Sequence, residues 1–283
     1  MARHENELSG TTDVAAHPEF ASRSTSRTID GSVVSGWFTE DFTLAELKTL
    51  RARERLPEVR PANIAYDDRY EIPTFQELVD LVRRRAAGAG RPVGIYLEMK
   101  HASYFDAIGL SLEKPVLEAL ERHRLPNVDT PVFIQSFEVA NLRALSEQTS
   151  VPLIQLISAT SVLDVTPPGL AAIADYAAGI GADKELVIPR DAAGTLSRPT
   201  TLVADAHATG LRVDTWTLRA ENAFLPTDLR RGHVRDPGYG AQLGNWQREY
   251  AAFLAAGVDG VFADQPDLAV AARSEWLERR HTS

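Results

Sequence analysis

Short apolar runs recur at residues 93–98, 131–136, 152–157, 185–189, 211–217 and 258–263. Amphipathic segments separate the later runs, at residues 111–123, 138–148, 168–178, 200–209 and 242–256. Brief apolar runs bounded by turn residues read as buried strands, and the longer periodic segments as helices. Gly210 and Gly257 stand where a left-handed residue ends a helix. Strands alternating with helices imply right-handed crossovers and a parallel sheet, hence an α/β fold of barrel type. A closed (β/α)8 barrel needs eight strands. Six are legible, and the shortfall lies at the N-terminus, where residues 1–4 read as the tail of one further strand.

The first third follows a different pattern. Residues 11–36 are rich in Ser, Thr and Gly and read as loop. Thr43 followed by Glu46 is a capping box, and the helix it starts is expected to continue to Arg55. Residues 57–71 are irregular again. Thr74 and Glu77 repeat the start signal, for an amphipathic helix running to about Ala87. These features make residues 5–71 a loop-rich insertion within one barrel domain spanning residues 1–283.

The run at 93–98 carries chemistry. Glu98 and Lys100 are two apart, so on a strand they leave the same face. They lie at its C-terminal end, where barrels of this class do their chemistry. The structural alternative is a plain ion pair between the two. The 30 basic and 39 acidic residues leave a net charge of -9, with no dense basic block beyond Arg83–Arg85, which argues against a nucleic-acid partner. No apolar run reaches the 18 residues of a membrane span. Cysteine is absent, which excludes disulfides and thiolate chemistry.

Four segments in order carry a family resemblance: Leu97-Glu98-Met99-Lys100, Ile134-Gln135-Ser136-Phe137, Val213-Asp214-Thr215-Trp216-Thr217, and Gly257 through Asp267 with its G-V-D-G-V-F-A-D-Q-P core. Ala2-Arg3-His4-Glu5 ahead of Thr11-Thr12-Asp13-Val14-Ala15 completes the set. The whole chain thereby resembles the glycerophosphodiester phosphodiesterases, in particular the longer, often secreted members, so a secreted or periplasmic parent is one implication. The resemblance implies a phosphodiesterase-type (β/α)8 barrel that lacks its first one or two strands. It also implies metal-dependent hydrolysis of a small-molecule glycerophosphodiester to sn-glycerol 3-phosphate and an alcohol. In that chemistry a divalent cation, Ca²⁺ or Mg²⁺, polarises the phosphoryl group and paired histidines move protons. Residue by residue, His4 is the second of the paired histidines, Glu98 a metal ligand, Lys100 the phosphate-neutralising cation, and Trp216 the wall against glycerol.

Gln135 and Phe137, at the end of their strand, are expected to line the pocket, with packing as an equal competitor for them and for Trp216. Asp264 is expected to cap the last loop or to brace Lys100, and His101 stands out because it adjoins Lys100. The chain also departs from the family. It has no N-terminal His-Arg-Gly and no Glu-x-Asp motif, which would supply the first histidine, an arginine and two further metal ligands. The resemblance therefore implies a parent that continues upstream of Met1, as sequencing of the native N-terminus would show. It leaves a catalytically incomplete barrel fragment as the competing reading. Lysophospholipase D and phosphatidylinositol-type phospholipase C chemistry are the alternatives within the enzyme class.

Overall fold

The computed structural model describes residues 1–281. The chain forms two compact units, Met1–Phe133 and Ile134 onward.

In the first unit a small apolar core gathers Leu8, Val14, Phe20, Leu47, Leu50 and Ile72, with Trp37 and Phe42 packed against it. The segment expected to be loop contains a hairpin, β1 (Thr25–Ile29) and β2 (Ser32–Gly36), paired antiparallel. Its two-residue turn, Asp30-Gly31, has φ of 48° and 77°, the paired positive angles of a type I′ turn. The strands are largely exposed, and Ser, Thr and Arg fill six of their ten positions, so no buried face advertised them. Helix α1 (Leu44–Leu47) opens on the expected Thr43–Glu46 capping box but ends after four residues, well short of Arg55. The backbone beyond it is claimed from a distance: Ala52 N–H donates to Tyr70 O (2.7 Å) and Arg53 N–H to Thr11 O (2.9 Å). An amide so engaged cannot also close an i−4 helical bond. Helix α2 (Phe75–Ala89) has its Thr74–Glu77 box in place.

Strand β3 (Ile95–Glu98) follows, then α3 (Ala102–Ala107) and α4 (Glu113–Arg122). Ile95 N–H donates to Pro131 O at 2.9 Å, so β3 lies beside the start of β4 (Val132–Ser136). Residues 1–4 join no strand; Ala2 N–H donates to Pro73 O instead.

The second unit holds the parallel sheet β4, β5 (Leu153–Ile157), β6 (Gly179–Asp183), β7 (Arg212–Leu218) and β8 (Gly260–Ala263), paired in chain order. Helices α5 (Val139–Ser146), α6 (Pro167–Ala174), α7 (Lys184–Val187), α8 (Leu202–Ala208), α9 (Trp246–Ala256) and α10 (Pro266–His281) alternate with these strands. Six parallel strands in sequence order, with helical crossovers, are the pattern of an incomplete (β/α)8 barrel.

One strand is not where the pattern placed it. Residues 185–189 form the turn of α7 and its exit, and the strand lies at Gly179–Asp183. Two glycines in five residues weaken any strand signal, yet they are what the sheet needs there. A Cβ on Gly179 would come within 2.1 Å of Arg212 Cγ and 2.8 Å of the Arg212 carbonyl oxygen, and one on Gly181 within 2.5 Å of Leu156 Cδ2. The apolar run that looked like a strand is apolar because Val187 and Ile188 are buried after it. Gly179→Val should therefore cost about 1–3 kcal/mol, the usual range for overpacking. Urea unfolding with an unchanged midpoint would contradict that account.

Candidate active site

The first unit assembles a charged cluster around the residue after the predicted histidine. Arg3 pins the N-terminal segment by donating to the backbone oxygen of Glu5, to Glu7 O (2.6 Å) and to Thr11 Oγ1 (2.8 Å). Leu8 N–H donates to Trp37 O and Thr39 N–H to Asn6 O. The segment carrying His4 is thus anchored rather than frayed, although the His4 side chain itself is 74% exposed.

Glu5 is the hub. Its Oε1 faces His4 Nδ1 at 2.7 Å and accepts from Lys100 Nζ at 2.8 Å; Lys100 Nζ stands 3.1 Å from the same Nδ1. Its Oε2 lies 3.5 Å from His101 Nε2, and His101 Nδ1 lies 2.6 Å from Asp30 Oδ2 in the hairpin turn. Bonds from His101, His4 and Lys100 outweigh burial and hold the Glu5 carboxyl far below the ordinary range. Burial pulls the His101 imidazole down, but Glu5 and Asp30 together raise it above its ordinary value. His4 and Lys100, predicted separately, are therefore brought together, and the carboxylate between them is one that the sequence reading left out. Its signal was mere adjacency to His4.

Glu98 ends β3. Its Oε1 is buried without a hydrogen-bond partner among the described residues, which suits an oxygen awaiting a cation. Among the described residues no three His, Asp or Glu side chains group closely enough to hold a metal ion. The residues present thus fit one ligand of a cation site and not a complete one.

In the second unit, Phe137 and Trp216 follow β4 and sit in β7 respectively, and their rings meet edge to face at 5.8 Å. Trp216 Nε1–H donates to Gly181 O at 2.8 Å, which fixes the indole. Phe137 is 40% exposed, so the pair is an apolar surface rather than core. Gln135 is the reverse case, buried with Oε1 unpartnered among the described residues. Asp264 accepts from Arg219 Nε at 2.7 Å. A cavity of about 480 Å³ does exist in the first unit, lined by Arg83, Gly90, Arg91 and Asn127 among others. None of the candidate residues lines it, so its volume says nothing about this chemistry.

Known proteins resemble this chain over most of its length. Residues 1–268 match the model of the Glycerophosphoryl diester phosphodiesterase family. The Arabidopsis thaliana glycerophosphodiester phosphodiesterase GDPD6 is 32% identical, over 93% of this chain and 72% of its own length. The glycerophosphodiester phosphodiesterase of Haemophilus influenzae is 22% identical, over 94% and 76%. Among solved structures, a protein of Agrobacterium tumefaciens assigned to the same enzyme type gives a TM-score of 0.57 at 22% identity, covering 96% of this chain and 79% of its own. A glycerophosphodiester phosphodiesterase of Parabacteroides distasonis gives 0.51 at 14%, covering 91% and 83%. At such identities these two structures speak for the fold alone.

Proposed function

Because the chain belongs to the glycerophosphoryl diester phosphodiesterase family of phosphoric diester hydrolases, we propose that it hydrolyses glycerophosphodiesters to sn-glycerol 3-phosphate and an alcohol, with residues 1–283 acting as one barrel domain. The observation that carries the reading is the His4–Glu5–Lys100 arrangement, an imidazole held by a carboxylate beside an ammonium. Hydrolysis adds the hydroxyl of water to phosphorus and returns a proton to the departing alkoxide. His4 suits the proton step: with Nδ1–H given to Glu5, Nε2 is left to accept or return a proton. Lys100 spends one of its three N–H donors on Glu5 and has others for a phosphoryl oxygen. Within the second unit, Phe137 and Trp216 form an apolar edge of the kind on which a glycerol or alcohol portion packs, and Gln135 is a polar group on the strand that precedes Phe137.

Members of the family generally use a divalent cation. Glu98 is the residue we assign to it, as an oxygen ligand suited to Ca²⁺ or Mg²⁺; such an ion would polarise the phosphoryl group as a Lewis acid. The test is release of glycerol 3-phosphate from glycerophosphocholine by the purified chain, with Ca²⁺, with Mg²⁺ and with a chelator. Cation-dependent release is expected, and no release under any condition would overturn the reading.

Glu98→Gln separates the ligand role from a bystander. A ligand present at about 100 times its Kd stabilises the folded state by about 2.7 kcal/mol. The variant is expected to lose that cation-dependent rise in melting temperature together with turnover. Loss of neither would leave Glu98 a structural strand-end residue.

A further inference from the structure

We propose that His101 and Asp30 are positioning residues that hold the Glu5 carboxylate, and through it the His4 imidazole, in working orientation. The inference rests on the reading of His4 as the proton-transfer residue.

The geometry is a file of alternating acids and imidazoles. Asp30 Oδ2 to His101 Nδ1 is 2.6 Å, His101 Nε2 to Glu5 Oε2 is 3.5 Å, and Glu5 Oε1 to His4 Nδ1 is 2.7 Å. Glu5 needs such help. Its Oε1 is shared between His4 and Lys100, and a carboxylate held at one oxygen can turn about its terminal bond. Given that freedom, Lys100 would draw it away as a simple ion pair and leave His4, 74% exposed, without a partner to set its tautomer. Engaging Oε2 from the far side stops the turn. A second group that orients the orienting acid follows the same logic by which outer partners fix histidine ligands.

Both outer residues are placed by unusual backbone. His101 has φ 58° and ψ 40° immediately after Lys100, where the chain leaves β3 for α3. A non-glycine residue in that left-handed region is strained, and such residues cluster at functional sites. Asp30 has φ 48° at the tip of a hairpin whose strands are otherwise mostly solvent-facing. The His101 side chain is only 12% exposed while Asp30 is 57% exposed. A partly buried imidazole thus reaches outward to a hairpin tip on one nitrogen and inward to the hub carboxylate on the other. This gives the β1–β2 hairpin a purpose that packing alone does not supply.

The test uses His101→Ala, Asp30→Asn and, as the conservative replacement, His101→Gln, which retains a side-chain donor. Two readouts are taken on the full chain. The first is the ¹⁵N spectrum of the His4 ring, which reports which nitrogen bears the proton and needs no activity. His4 in the parent protein is expected to carry its proton on Nδ1, and His101→Ala and Asp30→Asn to shift it towards Nε2, with His101→Gln intermediate. The second is turnover of glycerophosphocholine. A fall in kcat of about 10- to 100-fold for His101→Ala, the usual range for removal of an outer partner, is expected with KM within about twofold. Asp30→Asn, at an exposed position, guards against a folding failure of His101→Ala. An unchanged His4 spectrum in both variants would overturn the proposal, as would a kcat loss that His101→Gln does not partly rescue. If the parent protein has no turnover, the hydrolase reading fails on that result, and the His4 spectrum alone decides the positioning role.

Discussion

Replacing His4 with alanine is expected to lower glycerophosphocholine hydrolysis by roughly 10²- to 10⁴-fold, the range over which positioned acid–base groups act. The effect should fall on kcat, because an exposed imidazole whose near nitrogen faces Glu5 contributes through proton transfer more than through binding. Glu5→Gln should follow it only in part, since an amide oxygen still accepts from Nδ1 but no longer balances the Lys100 charge. The two losses should not add, because Glu5 acts by way of His4. Folding is not at stake for His4→Ala: the segment is held by Arg3 and by backbone bonds on either side, so the melting temperature should be unchanged. A His4→Ala protein that retains parental kcat would remove this residue from the chemistry, whatever the family.

The largest stability effect is expected in the second unit, where charge is buried. Glu249 on α9 has no exposed side-chain surface, and its Oε1 meets Lys184 Nζ at 2.9 Å; Arg190 Nη2 is 3.9 Å away. Its other oxygen has no hydrogen-bond partner among the described residues. Burial pushes the Glu249 carboxyl above its ordinary value, against the pull of Lys184 and Arg190. Lys184→Met would leave a buried carboxylate with only the more distant arginine. Breaking a buried pair at one partner costs about 3–5 kcal/mol.

The pH dependence has a definite sign. A carboxyl raised on folding binds more protons in the folded state, so the stability it allows falls as pH rises from the ordinary carboxylate range through the raised value. Removing Lys184 raises it further, so the deficit of Lys184→Met should be larger at pH 8 than at pH 5. Adding Glu249→Gln to Lys184→Met should recover much of the loss, since the charge that had become unpaired is gone. Urea unfolding at the two pH values measures all of this. A single-variant cost under about 0.5 kcal/mol, the scale of ordinary surface substitutions, would mean that water or Arg190 already compensates the carboxylate.

What the sequence determined by itself is what neighbours along the chain decide. The capping boxes at Thr43–Glu46 and Thr74–Glu77 span three residues, and both form. Gly210 and Gly257 take the positive φ expected after a helix, and five of the six parallel strands lie at their apolar runs. Glu98 and Lys100 were legible because a strand end and a two-residue spacing are local facts. Tertiary structure decided the rest. The strand Gly179–Asp183 exists because Arg212, Ile154 and Leu156 fill the space its glycines leave, and nothing in five small residues announces those neighbours. Helix α1 does not reach Arg55 because residues 52 and 53 bond to partners on other segments. The brace on Glu5 joins His101 to residues 71 and 96 positions away; its members are three ordinary polar side chains until the chain folds, because a carboxylate's role is set by which donors reach it, and only the fold brings those donors within reach.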